Sequence, residues 1–347
     1  MRKKNYFNDM EMNLDFLQND YMVFICCMTY NHSNYIKASL EGFAHQETVF
    51  PFVCVVMDDC STDGEQAIIQ QWIDDECDQS TLQFFDLELS RLYVATHKIN
   101  KNCRFVFYLF KLNLCGDPRK RNLIELWRKH TKYEAICEGD DYWTYSKKLQ
   151  EQIDFLESHS NYSATSSNAW VLRSDPSVMT PFGMLENKNY SRIEEIVVKR
   201  QFHTASVVFR TSSMQECPYS KKGGWDTFLW CCLLTQGPIH YDAKVTCVYR
   251  KDYNGITQTT PKIEWLTMTT RWADTLTECF VPEYVQRKYI VRSVTKDIIV
   301  AYFNVKHLNR DDKAKLLSLY LHNFEVKNFL NDLKIVTRQI GKKILKR

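Results

Sequence analysis

No stretch of this 347-residue chain is apolar for long enough to cross a membrane. The longest such run, Tyr21 to Met28, falls far below the ~20 residues a spanning helix needs, so any contact with a bilayer is expected to be peripheral. The amino terminus opens on Arg2, Lys3 and Lys4 but continues through Asn8, Asp9, Glu11 and Asp15 instead of the apolar stretch of a secretory leader. Charge of one sign is also scarce. Lys and Arg number 45 against 42 Asp and Glu, a net +3, and no interleaving of aromatic and basic residues adds to it, which argues against a dedicated nucleic-acid surface. Paired CxxC spacing is missing too. The 13 cysteines, an odd number, fall singly or as the neighbours Cys26/Cys27 and Cys231/Cys232, mostly within apolar runs. The expectation is buried, reduced thiols in a cytosolic protein rather than a disulfide framework. No histidine pair has zinc spacing, His32 and His203 included, and no internal repeat is visible.

What is present is enough for a full core: 44% hydrophobic and 14% aromatic residues over a length that suits one large domain or two fused units. Met22 to Met28 is apolar throughout instead of alternating, as expected of a parallel strand covered on both faces. Thr29, Tyr30, Asn31 and His32 follow as a polar connection, with Ser33 placed to cap a helix whose stripe is Ile36, Leu40 and Phe43. The pattern repeats in Phe52 to Met57, a polar turn Asp58 to Asp63, and a helix opened by a capping box of Thr62 and Glu65. Two such units in succession imply a parallel α/β sheet. Residues 74–104, acidic at first and then rich in Lys and Asn, are too long for a simple crossover and read as an insertion. A third run, Phe105 to Phe110, leads to a helix carrying Leu123, Leu126 and Trp127. Strands are also expected at Ala164 to Leu172, Ala205 to Phe209 and Val245 to Tyr249, and helices at Leu149 to Leu156, at Thr227 to Leu234 and throughout the region beyond residue 258.

The strand Tyr133 to Cys137 ends in the densest chemistry of the chain, Glu138, Gly139, Asp140, Asp141, Tyr142 and Trp143. Three carboxylates in a four-residue turn behind a strand offer hard oxygen ligands to an octahedral divalent ion together with phosphates. A solvated acidic turn is the other way to read them. Three polar turns therefore fall at the carboxyl edge of the expected sheet, where function gathers in α/β proteins.

In their order, Thr29, Tyr30, Asn31, then Asp58, Asp59, Cys60, Ser61, Thr62, Asp63, Gly64, then Glu138, Gly139, Asp140, Asp141, these motifs resemble the family 2 glycosyltransferases with the GT-A fold. The resemblance runs from about Tyr21 to Thr257, is strongest in its first half and weakens near Ser158. Thr204 to Arg210 and Val248 to Arg250 also resemble family segments. It implies an N-terminal extension (1–20), a GT-A catalytic domain (21–258) with a nucleotide-sugar-binding half (21–141) and an acceptor half (142–258), and a helical C-terminal region (259–347). The sheet would be mainly parallel and flanked by helices.

The resemblance also implies roles. A nucleotide-sugar donor, with UDP the commonest carrier, would have its base and ribose against Thr29, Tyr30 and Asn31. Asp59 would accept from the uracil N–H with support from Asp58. The family's Asp-any-Asp metal motif reads Glu138, Gly139, Asp140 here, so Asp140 is the expected ligand of Mg²⁺ or Mn²⁺, with Glu138 on ribose or a metal-bound water and Asp141 orienting the site. Arg250 would approach the diphosphate. The cluster Arg119, Lys120, Arg121 would either do the same or form a solvated helix start. An inverting displacement needs a base facing the acceptor hydroxyl. Asp226 is the candidate, although Gly223 and Gly224 stand where the family often has a Glu-Asp pair, and Asp226 could equally cap its helix. Trp225 would stack on an acceptor sugar or belong to the core.

The expectation is a metal-dependent inverting transferase of hexosyl type, adding sugar to a glycan or lipid-linked acceptor in polysaccharide biosynthesis. Two alternatives stay open. One is a non-catalytic nucleotide-sugar binding module; the other is a nucleotidyltransferase, against which the connection Thr29 to Ser33 lacks a glycine-rich phosphate loop. In the tail, Lys334, Arg338, Lys342, Lys343, Lys346 and Arg347 accompany an apolar face of Leu333, Val336, Ile340 and Ile344. This suits either an interfacial helix on an anionic membrane surface or a helix docked on the protein. The expected place is the cytoplasm, with the membrane's cytoplasmic face as an option.

Overall fold

The computed structural model describes residues 21–173, 178–223, 225–251, 259–281, 283–305 and 307–344. The expected extension 1–20, Gly224, the boundary at 252–258, and Lys346 and Arg347 lie outside the described residues, as do the side chains of Lys343 and Ile344. The strands are β1 (Val23–Thr29), β2 (Phe52–Asp58), β3 (Gln83–Asp86), β4 (Ser90–Thr96), β5 (Cys103–Phe110), β6 (Tyr133–Ile136), β7 (Tyr142–Trp143), β8 (Ala164–Leu172), β9 (Met179–Pro181), β10 (Lys188–Tyr190), β11 (Val208–Arg210) and β12 (Ile239–Arg250). The helices are α1 (Ile36–Ala44), α2 (Glu65–Glu76), α3 (Pro118–His130), α4 (Lys148–Ser158), α5 (Ile193–Val197), α6 (Thr211–Glu216), α7 (Asp226–Gln236), α8 (Lys262–Phe280), α9 (Arg287–Asn304), α10 (Arg310–Asn323) and α11 (Phe329–Ile344).

These elements form two compact units. The first takes the residues through Asn189 together with Phe202–Glu216 and Ile239–Arg250; the second takes Tyr190–Gln201, Cys217–Pro238 and the residues from Lys251 onward. In the first unit one mixed sheet runs in the order β10-β12-β8-β11-β6-β1-β2-β5-β4-β3. Its centre, β6-β1-β2-β5, is parallel. β1 and β2 are buried along almost their whole length, which explains their unbroken apolar sequences: strands covered on both faces have no solvent side on which to alternate. Phe43, Trp72, Phe105, Phe107, Tyr133 and Trp143 fill the core against them, each large apolar side chain contributing about 1.5–3 kcal/mol on burial.

Several local expectations are corrected. Residues 74–104 include a hairpin: β3 and β4 pair antiparallel, and β4 pairs against β5, which extends the sheet edge. Ser33 does not cap α1, whose N-cap is Tyr35 with no side-chain cap; the Ser33 amide donates to Asp63 instead. Thr62 and Glu65 form no capping box, because left-handed Gly64 is the N-cap of α2 and Glu65 turns inward. The strand expected at Ala205 to Phe209 is a 3-10 turn, Thr204–Ser206, followed by β11. All 13 cysteines are free thiols, and all but Cys60 and Cys115 are buried. In the second unit α8 and α9 bury Leu266, Ala273, Leu276 and Phe280 and Ile290, Val291, Val294 and Ile298 respectively. No described helix is long and apolar enough to cross a membrane.

Candidate active site

Parallel register brings the three polar turns together. Thr29 and Asp58 are partners in the last rung of β1 and β2, and β6 leaves the ladder at Ile136 opposite Cys26. The chain then continues beside β1, with the Cys137 amide donating to Cys26 O at 3.2 Å and that of Gly139 to Met28 O at 3.0 Å. This close approach requires glycine: a Cβ on Gly139 would lie 2.1 Å from Thr29 Oγ1. The acidic turn is thereby fixed against the end of the first strand.

Within that turn, Glu138, Asp140 and Asp141 can each bring one carboxylate oxygen within 4.8 Å of the others. Glu138 and Asp140 are half-buried and Asp141 is buried. Ser39 of α1 donates to the carbonyls of Gly139 and Asp141, holding the backbone of the turn. Burial, reinforced by the charges of Asp140 and Glu138, pushes the Asp141 carboxyl well above the ordinary carboxylate range. The Arg250 amide donates to Asp141 Oδ1 at 2.9 Å and opposes that shift. A group of carboxylates this close favours either protons or a cation, and its hard oxygens fit a divalent ion.

Arg250, the last residue of β12, also donates from Nη1 to Asp140 O at 2.8 Å. Its guanidinium lies over the rings of Tyr35 (5.1 Å) and Tyr142 (4.2 Å), so this cation is pinned beside the acids. His203 has Nδ1 at 3.4 Å from Asp141 Oδ2, and the same nitrogen accepts from the Ala205 amide at 3.3 Å.

The first two turns are tied to each other. Asn31, at φ 58°, donates from its amide to Ser61 Oγ (2.8 Å) and accepts from the Thr62 amide (2.8 Å). Buried Glu65 accepts from Thr29 Oγ1, the His32 amide (2.8 Å) and Ser61 Oγ (2.9 Å). Tyr30 remains 44% exposed, an open ring face at the edge of the sheet. Asp58 is fully buried; its Oδ1 accepts from the Ser61 amide and Gln66, while Oδ2 has no hydrogen-bond partner. Asp59 is already engaged, through Oδ1 with the Leu114 amide (2.6 Å) and through Oδ2 with Lys120 (2.8 Å). Lys120 thus leaves the basic cluster for the interior of the site, and Arg119 pairs with Asp117, the N-cap of its own helix.

Asp226 and Trp225 belong to the second unit. Asp226 is the first residue of α7 and makes no cap; the N-cap is Trp225. Its Oδ2 is ion-paired with Arg200 at 2.6 Å. Trp225 stacks on Trp272 at 5.4 Å and tilts against Phe228, which leaves it half-buried in an aromatic group. Glu65, His203 and Ser39 were not legible as site residues, and Lys120 was legible only as one of a basic cluster, because each meets a neighbour that only strand order supplies.

The fold and part of the sequence resemble known proteins. Residues 24–87, which span β1 through β3, match the model of Glycosyl transferase family 2. Two mycobacterial proteins described as uncharacterized, Rv1520 of Mycobacterium tuberculosis and Mb1547 of Mycobacterium bovis, are each 25% identical over 232 residues, 67% of this chain and 59% of theirs. The chain thus spans only about three-fifths of the length of these relatives. The crystal structure of S. aureus TarS 1-349 in complex with UDP shares the fold at a TM-score of 0.54 and 14% identity, covering 87% of this chain and 79% of that one. That of S. aureus TarS gives 0.51 and 15%, covering 89% and 50%. Residues 24–87 are thus similar to Glycosyl transferase family 2, and the fold is that of a GT-A glycosyltransferase, a mixed α/β sheet with flanking helices and C-terminal helices.

Proposed function

We propose that this chain transfers a sugar from a UDP-sugar to a glycan or lipid-linked acceptor, with inversion at the anomeric carbon and with a divalent ion required. The observation that carries the reading is the carboxylate group Glu138, Asp140 and Asp141, held against the ends of β1 and β2 with Arg250 beside it. These three residues would hold Mg²⁺ or Mn²⁺, whose Lewis acidity would offset charge growing on the departing diphosphate. Arg250 contributes a fixed positive charge to the same task. Two rings and a backbone carbonyl have already oriented it, so little reorganisation is left for the transition state.

Tyr30 offers its exposed face to the base, while Thr29 and Asn31 set the path of the loop for the ribose. Asp59, shared with Lys120, presents an acceptor to the uracil N–H, and Asp58 supports that loop from below. UDP in the TarS structure supports the choice of nucleotide. Asp226 serves as the base that takes the proton of the acceptor hydroxyl, and Trp225 packs beside the acceptor.

One observation favours the second reading, a binding module without transfer. Asp226 Oδ2 already holds Arg200 in an ion pair, which leaves only part of the carboxylate open to an acceptor hydroxyl. Calorimetry with UDP tests the donor site: Mn²⁺ should raise affinity in the wild type and do nothing for Asp140→Ala. Equal affinity with and without the ion would remove the metal from the reading. Release of UDP from a donor panel by the wild type, and its loss in Asp226→Asn, then separates transferase from binding module.

A further inference from the structure

On α11 the two buried side chains among those described are polar, with Ile335 and Val336 half-buried to either side of them. Asp332 and Gln339, seven residues apart and so on one side of the helix, are both buried. Asp332 accepts from Tyr320 of α10 at 3.1 Å, and Gln339 accepts from Asn304 of α9 at 3.0 Å. The apolar stripe faces outward instead: Phe329 is 49% exposed, Leu333 47% and Ile340 44%, and these three fall within about 40° of one another around the axis. Leu330, on the flank of the stripe, is 72% exposed. A helix of a soluble protein ordinarily turns such a stripe to the core. The preceding helix adds Leu317 and Leu321, one turn apart and 54% and 62% exposed, and the connection adds Val326 at 78%.

Next to Leu330 around the helix come Lys334, Arg338 and Lys342, all exposed. The single acid of α11 is the buried Asp332. The described outer surface of this helix therefore carries apolar and cationic groups and no anion. We propose that it docks on an anionic lipid surface, the stripe of Phe329, Leu333 and Ile340 entering the headgroup boundary and Lys334, Arg338 and Lys342 meeting lipid phosphates. Apolar insertion joined to basic attraction is the combination that holds a helix in the plane of an interface. Charge decides between occupants: a second copy packed symmetrically would set two cationic flanks against each other, and a nucleic acid would leave the leucines in water.

The proposal is independent of the transfer chemistry. Its test is flotation of the full chain with vesicles of phosphatidylglycerol and phosphatidylcholine, against vesicles of phosphatidylcholine alone. The wild type should float with the anionic vesicles, less so at high salt, and little with the neutral ones. Lys334→Gln, Arg338→Gln and Lys342→Gln together should weaken binding at least tenfold, since each base is worth about fivefold. Leu333→Ser with Ile340→Ser, at exposed positions where the fold has little to lose, should abolish it with the circular dichroism unchanged. Absence of wild-type binding to anionic vesicles, or equal binding to neutral ones, overturns the proposal. So does a change of oligomeric state in the serine variant with vesicle binding intact, because the stripe would then be a contact between copies.

Discussion

Replacing Asp140 by Asn should make the metal-free protein more stable while removing its response to metal. Three carboxylates within 4.8 Å repel one another, and a single pair at that separation is worth about 1 kcal/mol at the permittivity of water and about 3 kcal/mol at an effective value of about 20. Asp140 and Glu138 are partly open to solvent, so the lower half of that range applies to them, and the buried Asp141 takes the larger share. Asn keeps the shape of the side chain and the backbone carbonyl that accepts from Arg250, so the turn should survive. Relief of about 1–3 kcal/mol is expected, which raises the melting temperature in EDTA by about 1–2 °C for each kcal/mol. In Mn²⁺ with UDP the order should reverse, because an ion that binds only the folded wild type stabilises it by mass action. The assay is thermal unfolding of both proteins in EDTA, in Mn²⁺, and in Mn²⁺ with UDP. A variant that melts lower in EDTA yet keeps the full Mn²⁺ shift would refute the electrostatic account of the turn.

Gly139→Ala should cost about 1–3 kcal/mol of stability and weaken UDP binding, since the new Cβ meets Thr29 at 2.1 Å; denaturant titration with calorimetry checks both, and an unperturbed variant would mean that the turn yields easily. Glu65→Ala should cost about 3 kcal/mol for three lost hydrogen bonds, whereas Glu65→Gln, whose oxygen can still accept from the His32 amide, should recover most of it. Burial holds the Glu65 carboxyl above its ordinary 4.5 in the folded chain, so the folded state keeps this proton to higher pH than the unfolded state. Its contribution therefore declines as pH rises from about 4.5 through the folded value, and a pH series of melting curves should show that decline missing in Glu65→Gln. Asp226→Asn should leave donor affinity nearly intact and lower transfer by about 10²–10⁴ in single-turnover experiments; full turnover would send the search for the base elsewhere.

Much of the central sheet could be read in advance because its information is local. Unbroken apolar runs at Val23 to Met28, Phe52 to Met57 and Phe105 to Phe110 carry the signature of strands covered on both sides, and the acids at Glu138, Asp140 and Asp141 are contiguous in the chain. The hairpin β3-β4 escaped because Gln83 to Asp86 is exposed and mixed, and its pairing comes from β5 next door. Caps failed for a related reason. Ser33, Thr62 and Glu65 have the residue types of helix starts, but once β1 and β2 lie side by side their polar atoms find partners across the two loops, which serve the buried donors better than a local cap would.

The sequence by itself determined which segments are buried strands, where the carboxylates cluster and that a basic, amphipathic helix closes the described chain, since each of these depends on spacing within a few residues. Tertiary structure alone decided what those groups face. Parallel register set Thr29 beside Asp58 and Gly139 against Thr29, turned Lys120 onto Asp59 and Arg250 onto the acidic turn, and pointed the stripe of α11 outward. Such contacts join residues tens to more than a hundred positions apart, and no local preference encodes them. They exist because burying the apolar faces of the sheet and helices permits few arrangements, and the polar residues at the strand ends take the partners that arrangement leaves them.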